Sequence, residues 1–226
     1  MMSSNETIEN EDSFETKSGL AAQLLLKSSP VHSGRVLKLH VPLLYTFLPE
    51  SVQNWIAPDG YVTYLLAPQW KEREIILCGS YLYKFLDAKS TNPKGTPIEL
   101  RGVNAKVVEE GDDDLNELGL DSVMENLPTG IEAVFSMNSY GKQRYFAATS
   151  REEALTWVNS IREARQEAIT REMGHSKVPE PESWKYFDGL AKQLIEKKER
   201  IQKRQDDSLH RQFEAGSLGG ALRPIS

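Results

Sequence analysis

A mainly β fold closed by a C-terminal helix is what this sequence predicts, and three stretches carry the prediction. Arg73–Cys78 and Tyr81–Leu86 are rich in β-branched and aromatic residues and flank the turn signal Gly79-Ser80, so together they read as a hairpin. Ile131–Met137 alternates strictly, placing Ile131, Ala133, Phe135 and Met137 on one face of a strand. Ser150 followed by Glu153 is a capping-box signature at the head of a helix. That helix sets Ala154, Trp157, Val158, Ile161, Arg165 and Ala168 along one side, and Gly174 suits the left-handed position after its end.

The remaining elements follow in order. Met1 to about Lys17 is acidic, polar and poor in large apolar residues, the composition of a disordered tail. Leu20–Leu26 makes two helical turns before Ser28-Ser29-Pro30, and a helix so short must dock to persist in water. Two registers then compete for the first strand. In the favoured one Gly60–Leu66 is that strand and Val31–Trp55 is an extra element, because the spacing from Gly60 to Trp70 suits a short hairpin. In the other, Gly34–Leu39 is the first strand with a long insertion behind it. After the turn cluster Lys89–Pro97, strands are expected at Ile98–Leu100 and Ala105–Glu110, then an acidic excursion at Gly111–Gly130, and a seventh strand at Gln143–Thr149. His175–Pro181 reads as a hinge. Glu182 to about Leu209 is helical in propensity but sparsely apolar, so its first half should dock and its second half project.

The chain of 226 residues has a formal charge of −6, unevenly spread. Residues 173–226 carry 10 basic and 8 acidic side chains, and eight acids lie within Glu109–Glu125 alone. The rest of the central segment is mildly positive, which suits approach to an anionic surface. No run of about 18 apolar residues offers a transmembrane helix. The acidic N-terminus is unlike a secretory signal, neither Met2 nor the terminal Arg-Pro-Ile-Ser signals a lipid anchor, and lone Cys78 fits a reducing compartment. The four histidines lack metal-ligand spacing, Asp112-Asp113-Asp114 lacks the ligand pattern of a calcium loop, and Gly216–Gly220 lacks the Lys-Ser/Thr of a phosphate loop. Neither an enzyme, a metal, a cofactor nor a nucleic-acid partner is expected. Lys71 and Arg73, two apart on a strand, share one face.

The ordered motifs resemble those of the pleckstrin-homology (PH) domain. Trp70-Lys71-Glu72-Arg73, Ile75-Ile76-Leu77 and Leu82-Tyr83-Lys84-Phe85 match the second and third strands of that family. Tyr145-Phe146-Ala147-Ala148-Thr149-Ser150, then Glu152-Glu153 and Trp157-Val158, match its closing strand and helix. The resemblance implies a seven-stranded, partly open barrel capped by a C-terminal helix, with Trp70 and Trp157 structural. Residues 60–173 form the domain, preceded by a tail at 1–30 and an extra element at 31–59 and followed by a hinge, helix and tail at 174–226. It also implies that Lys71, Arg73 and Lys84 contact lipid phosphates. One departure stands out: Tyr64 replaces the basic residue near the end of the first strand, in the favoured register. The function expected is that of a cytoplasmic, peripheral adaptor binding anionic, phosphoinositide-containing membranes weakly. The alternative is a module for an unidentified protein partner, held by the acidic stretch 111–130 or the helix 182–209.

Overall fold

In the computed structural model the described residues are 19–42, 68–109, 127–177 and 179–219, with the side chains of 209–219 excepted. In chain order the elements are α1 (Ala22–Lys27), β1 (His32–His40), β2 (Gln69–Cys78), β3 (Tyr81–Phe85), β4 (Ile98–Glu99), β5 (Val103–Val108), β6 (Ala133–Ser139), β7 (Lys142–Ala148), α2 (Arg151–Glu172) and α3 (Glu182–Gly219). The strands form one antiparallel, non-closed sheet in the order β4-β3-β2-β1-β7-β6-β5.

The expected register of the first strand is corrected. The place beside β2 belongs to His32–His40, which pairs with Leu77 through Gln69 over nine positions and contacts β7 at Leu37↔Ala147 and Lys38↔Phe146. Gly60–Leu66, favoured for that role, lies outside the described residues, as does Tyr64. A long connection between β1 and β2 is cheap, because closure entropy grows only logarithmically with loop length; each doubling costs about 0.6 kcal/mol. Nine ladder pairs outweigh that, so proximity in sequence is a poor guide to pairing here.

Side chains alternate between two environments. On the concave face Val36, Ile75, Leu77, Leu82, Phe135, Phe146 and Ala148 pack together, and α2 inserts Trp157, Val158 and Ile161 among them. Trp157 is 1% exposed. Its ring stacks on Phe135 at 6.2 Å and takes the edge of His32 at 4.3 Å. Gly34 lies under the ring: a Cβ there would sit 3.4 Å from Trp157 Cζ2, in van der Waals contact. The cap at the head of α2 is present, with Ser150 Oγ accepting from Glu153 N at 3.1 Å and the Glu153 carboxylate accepting from Thr149 N at 2.9 Å. Gly174 follows the helix at φ +70°.

The convex face of β2 and β3 is covered rather than wet. Ile76, Cys78, Tyr81, Tyr83 and Phe85 bury against Leu20, Ala22 and Leu25 at the N-terminal side and Phe187 and Ala191 of α3. This supplies the docking that the short α1 requires. Trp184 Nε1 donates to Ser28 O at 2.9 Å, and the Tyr83 hydroxyl donates to Phe187 O at 3.2 Å. Arg171 of α2 pairs with Glu180 and lies over the Trp184 ring at 5.6 Å, so the hinge between the helices is itself tied. Trp70 packs with Leu37, Leu39, Tyr145 and Val134 on the convex face further along the sheet.

Candidate functional site

The register puts cations on the concave face at the end of β1 away from Trp157. Lys38 of β1 stands directly opposite Lys71 of β2, and Val36 stands opposite Arg73. Because alternate residues share a face, Lys38, Lys71 and Arg73 point the same way as core residues Val36 and Ile75. Lys84 of β3 pairs with Ile75 and joins them. Arg144 and Lys142 of β7 share the face of Phe146, which pairs with Lys38. Four strands thus bring six cations to one concavity: Lys38, Lys71, Arg73, Lys84, Lys142 and Arg144.

Their proximity registers in their acidities. The Lys38 ammonium is held below the usual lysine value first by burial, then by Arg144, Arg73, Lys142 and Lys71. Lys84 is pushed down to about 7 by burial and then by Lys38, Arg144, Lys142 and Lys198. Burial lowers the Arg144 guanidinium, and burial followed by Lys71, Lys38 and Arg73 lowers His40. Like charges directly opposite on neighbouring strands are destabilising. Among the described residues no carboxylate forms an ion pair with any of the six; their contacts are to backbone carbonyls, as Lys38 Nζ to Leu39 O at 3.2 Å and Arg144 Nη1 to Lys142 O at 3.0 Å. The acids of β2, Glu72 and Glu74, point to the opposite face and meet Arg35. An arrangement of this kind is complementary to a compact polyanion, with the Arg forks suited to phosphate oxygens and the ammonium groups acting as point charges.

The structure brings the three expected residues, Lys71, Arg73 and Lys84, to one place and adds three that sequence reasoning missed. Lys38 escapes sequence reasoning because the favoured register puts the first strand at Gly60–Leu66, whereas in the structure Lys38 lies near the end of β1. Lys142 and Arg144 carried a usable signal, since both alternate with Phe146 and Ala148 on β7. The acidic stretch 110–126 lies outside the described residues. No group of His, Cys, Asp and Glu that would hold a metal occurs among the described residues, and no helix among them is long and apolar enough to cross a membrane.

None of the curated proteins compared matches this chain. Solved structures similar to it include the C-terminal PH domain of human pleckstrin, at 20% identity over 63% of this chain and 92% of that one, with a TM-score of 0.38. The PH domain of human TBC1 domain family member 2 is 14% identical over 67% of this chain and 91% of that one, with a TM-score of 0.39. The family model of the PH domain matches residues 51–166, a span that begins after β1. A match over half the chain identifies it: the protein belongs to the PH domain family.

Proposed function

We propose that this protein is a non-catalytic adaptor that binds anionic membranes through a phosphoinositide headgroup seated among Lys38, Lys71, Arg73, Lys84, Lys142 and Arg144. PH domains are in general phosphoinositide- or protein-binding modules, and the observation that favours lipid is the six-cation concavity with no described acid paired to it. The repulsion stored there is relieved when phosphates enter. Arg73 and Arg144 grip phosphate oxygens in pairs, and the lysines set the total charge. Each cation near an anionic surface contributes about 1 kcal/mol, so the site gives useful but reversible attachment rather than permanent anchoring. The protein is accordingly a peripheral membrane protein on the cytoplasmic side, where anionic lipids are exposed.

Titration of soluble inositol polyphosphates into the full chain tests this reading. Wild type should bind with an affinity that falls steeply with salt, and Lys71→Ala with Arg73→Ala should abolish binding without lowering the melting temperature. Equal binding by the double variant would remove the site, and absence of binding by wild type to every inositol phosphate and every anionic vesicle would remove the function.

A further inference from the structure

The docked part of α3 ends at Ile195, and every side chain from Glu196 to Ser208 is exposed. Within that part Lys197, Arg200, Ile201 and Arg204 fall at spacings of three, four and seven, which is one face of a helix. Of the acids, Glu199 and Asp206 fall on the opposite side, whereas Glu196 and Asp207 border the row next to Arg200. Arg200 makes an exposed pair with Glu196 at 3.8 Å, an interaction of little strength in water. Ile201 sits within the basic row and is 46% exposed, although it is a large apolar residue. The backbone continues helical to Gly219, so the part beyond Ile195 is about 36 Å long at 1.5 Å per residue. Lys198, in the first turn of the projecting part, is among the cations that lower the Lys84 ammonium.

The chemistry of the face selects its partner. A helical partner, including a second copy of α3, needs apolar residues sustained at heptad positions. Here the residues one heptad after Lys197 and Ile201 are Arg204 and Ser208. A row of long cations around one isolated apolar side chain suits a flat anionic surface, where the cations meet headgroups and the apolar residue enters slightly deeper. We propose that the Lys197–Arg200–Ile201–Arg204 face of α3 lies on an anionic bilayer, as a second contact beside the headgroup site. The inference rests on the membrane reading above and extends it from a single headgroup pocket to a surface read by charge alone.

The test uses the full chain with Lys197→Gln, Arg200→Gln and Arg204→Gln, since Gln keeps helix propensity and circular dichroism checks the fold. Vesicles of phosphatidylcholine and phosphatidylserine are compared with and without phosphatidylinositol bisphosphate, and soluble inositol hexakisphosphate reports the concave site alone. The triple variant should partition onto both vesicle types at least about tenfold more weakly, from about 1 kcal/mol per cation less ordering costs, while its affinity for the soluble ligand stays unchanged. Unchanged partitioning would overturn the inference and leave the headgroup site standing. An equal loss of soluble-ligand affinity would also overturn it, by assigning the row to the headgroup site, as would a dimer in sedimentation that the variant abolishes. Conversely, failure of wild type to bind the soluble ligand, with α3-dependent binding to phosphatidylserine vesicles intact, would remove the headgroup site and retain the α3 surface.

Discussion

Asp188 of α3 reaches the β2–β3 turn, where its two carboxylate oxygens accept from Ser80 N at 3.1 and 2.9 Å in the space a side chain at Gly79 would fill. A Cβ on Gly79 would lie 2.2 Å from Asp188 Oδ1, and φ at that residue is +60°. The turn glycine therefore serves both the hairpin and the docking of a helix more than 100 residues downstream. Gly79→Ala should displace α3, cost about 1–3 kcal/mol and open the His175–Pro181 hinge to proteolysis. Intact α3 in limited digestion of the variant would contradict this role.

The same carboxylate gives a pH dependence. Burial raises the Asp188 pKa to about 6, against the opposing pull of the Ser80 hydrogen bonds. Since the unfolded value is near 3.9, the folded chain holds the extra proton between about pH 4 and 6. Stability from this group is therefore greater at the acid end of that window and falls as pH rises through it. Asp188→Asn keeps an acceptor for Ser80 and removes the desolvated charge. It should equal or exceed wild type in melting temperature at pH 7, and the gap should shrink toward pH 4. A constant gap across this range would place the titration elsewhere.

Lys84 should trade stability for binding. Its folded pKa is pushed down to about 7, far below the unfolded value, so between about pH 7 and 10 the unfolded chain holds the proton that the folded chain has lost. The resulting destabilisation is full below pH 7 and disappears as pH approaches the unfolded value. Lys84→Met should raise the midpoint at pH 7 by about 1–2 kcal/mol, or roughly 2–8 °C, while weakening inositol-phosphate binding. Wild-type affinity should also fall from pH 6 to 8 as the ammonium deprotonates. Calorimetry in buffers of different ionisation heat would reveal the matching proton uptake, and its absence would separate Lys84 from the ligand.

Lys38→Met examines the corrected strand. With its ammonium opposite Lys71, this residue should contribute to ligand affinity about as strongly as a residue of the second strand, roughly tenfold. Removing it should also relieve Lys84, whose pKa should move back up. Unaltered binding would leave the headgroup to β2, β3 and β7 alone.

Trp157→Ala should cost about 3–5 kcal/mol, since a fully buried aromatic leaves a cavity between α2 and the concave face. A domain has only about 5–15 kcal/mol of stability, so the midpoint should fall steeply. An unchanged thermal midpoint would mean that the helix does not close the core as described.

Local chemistry was enough for much of this fold. The β2–β3 hairpin followed from Gly79-Ser80 between two β-rich runs, α2 from Ser150 and Glu153, and β6 from alternation through Phe135 and Met137, because each signal acts within a few residues. The pairing of Lys71 with Arg73 on one face followed from strand periodicity alone. Which strand lies beside them did not, because Lys38 and Lys71 are brought together by a ladder spanning a long connection whose closure entropy scarcely depends on its length. The tertiary structure likewise decided that Lys142 and Arg144 complete the concavity and that Gly79 makes room for Asp188. These are contacts between residues far apart in sequence, and their energy is realised only once the sheet has brought them together.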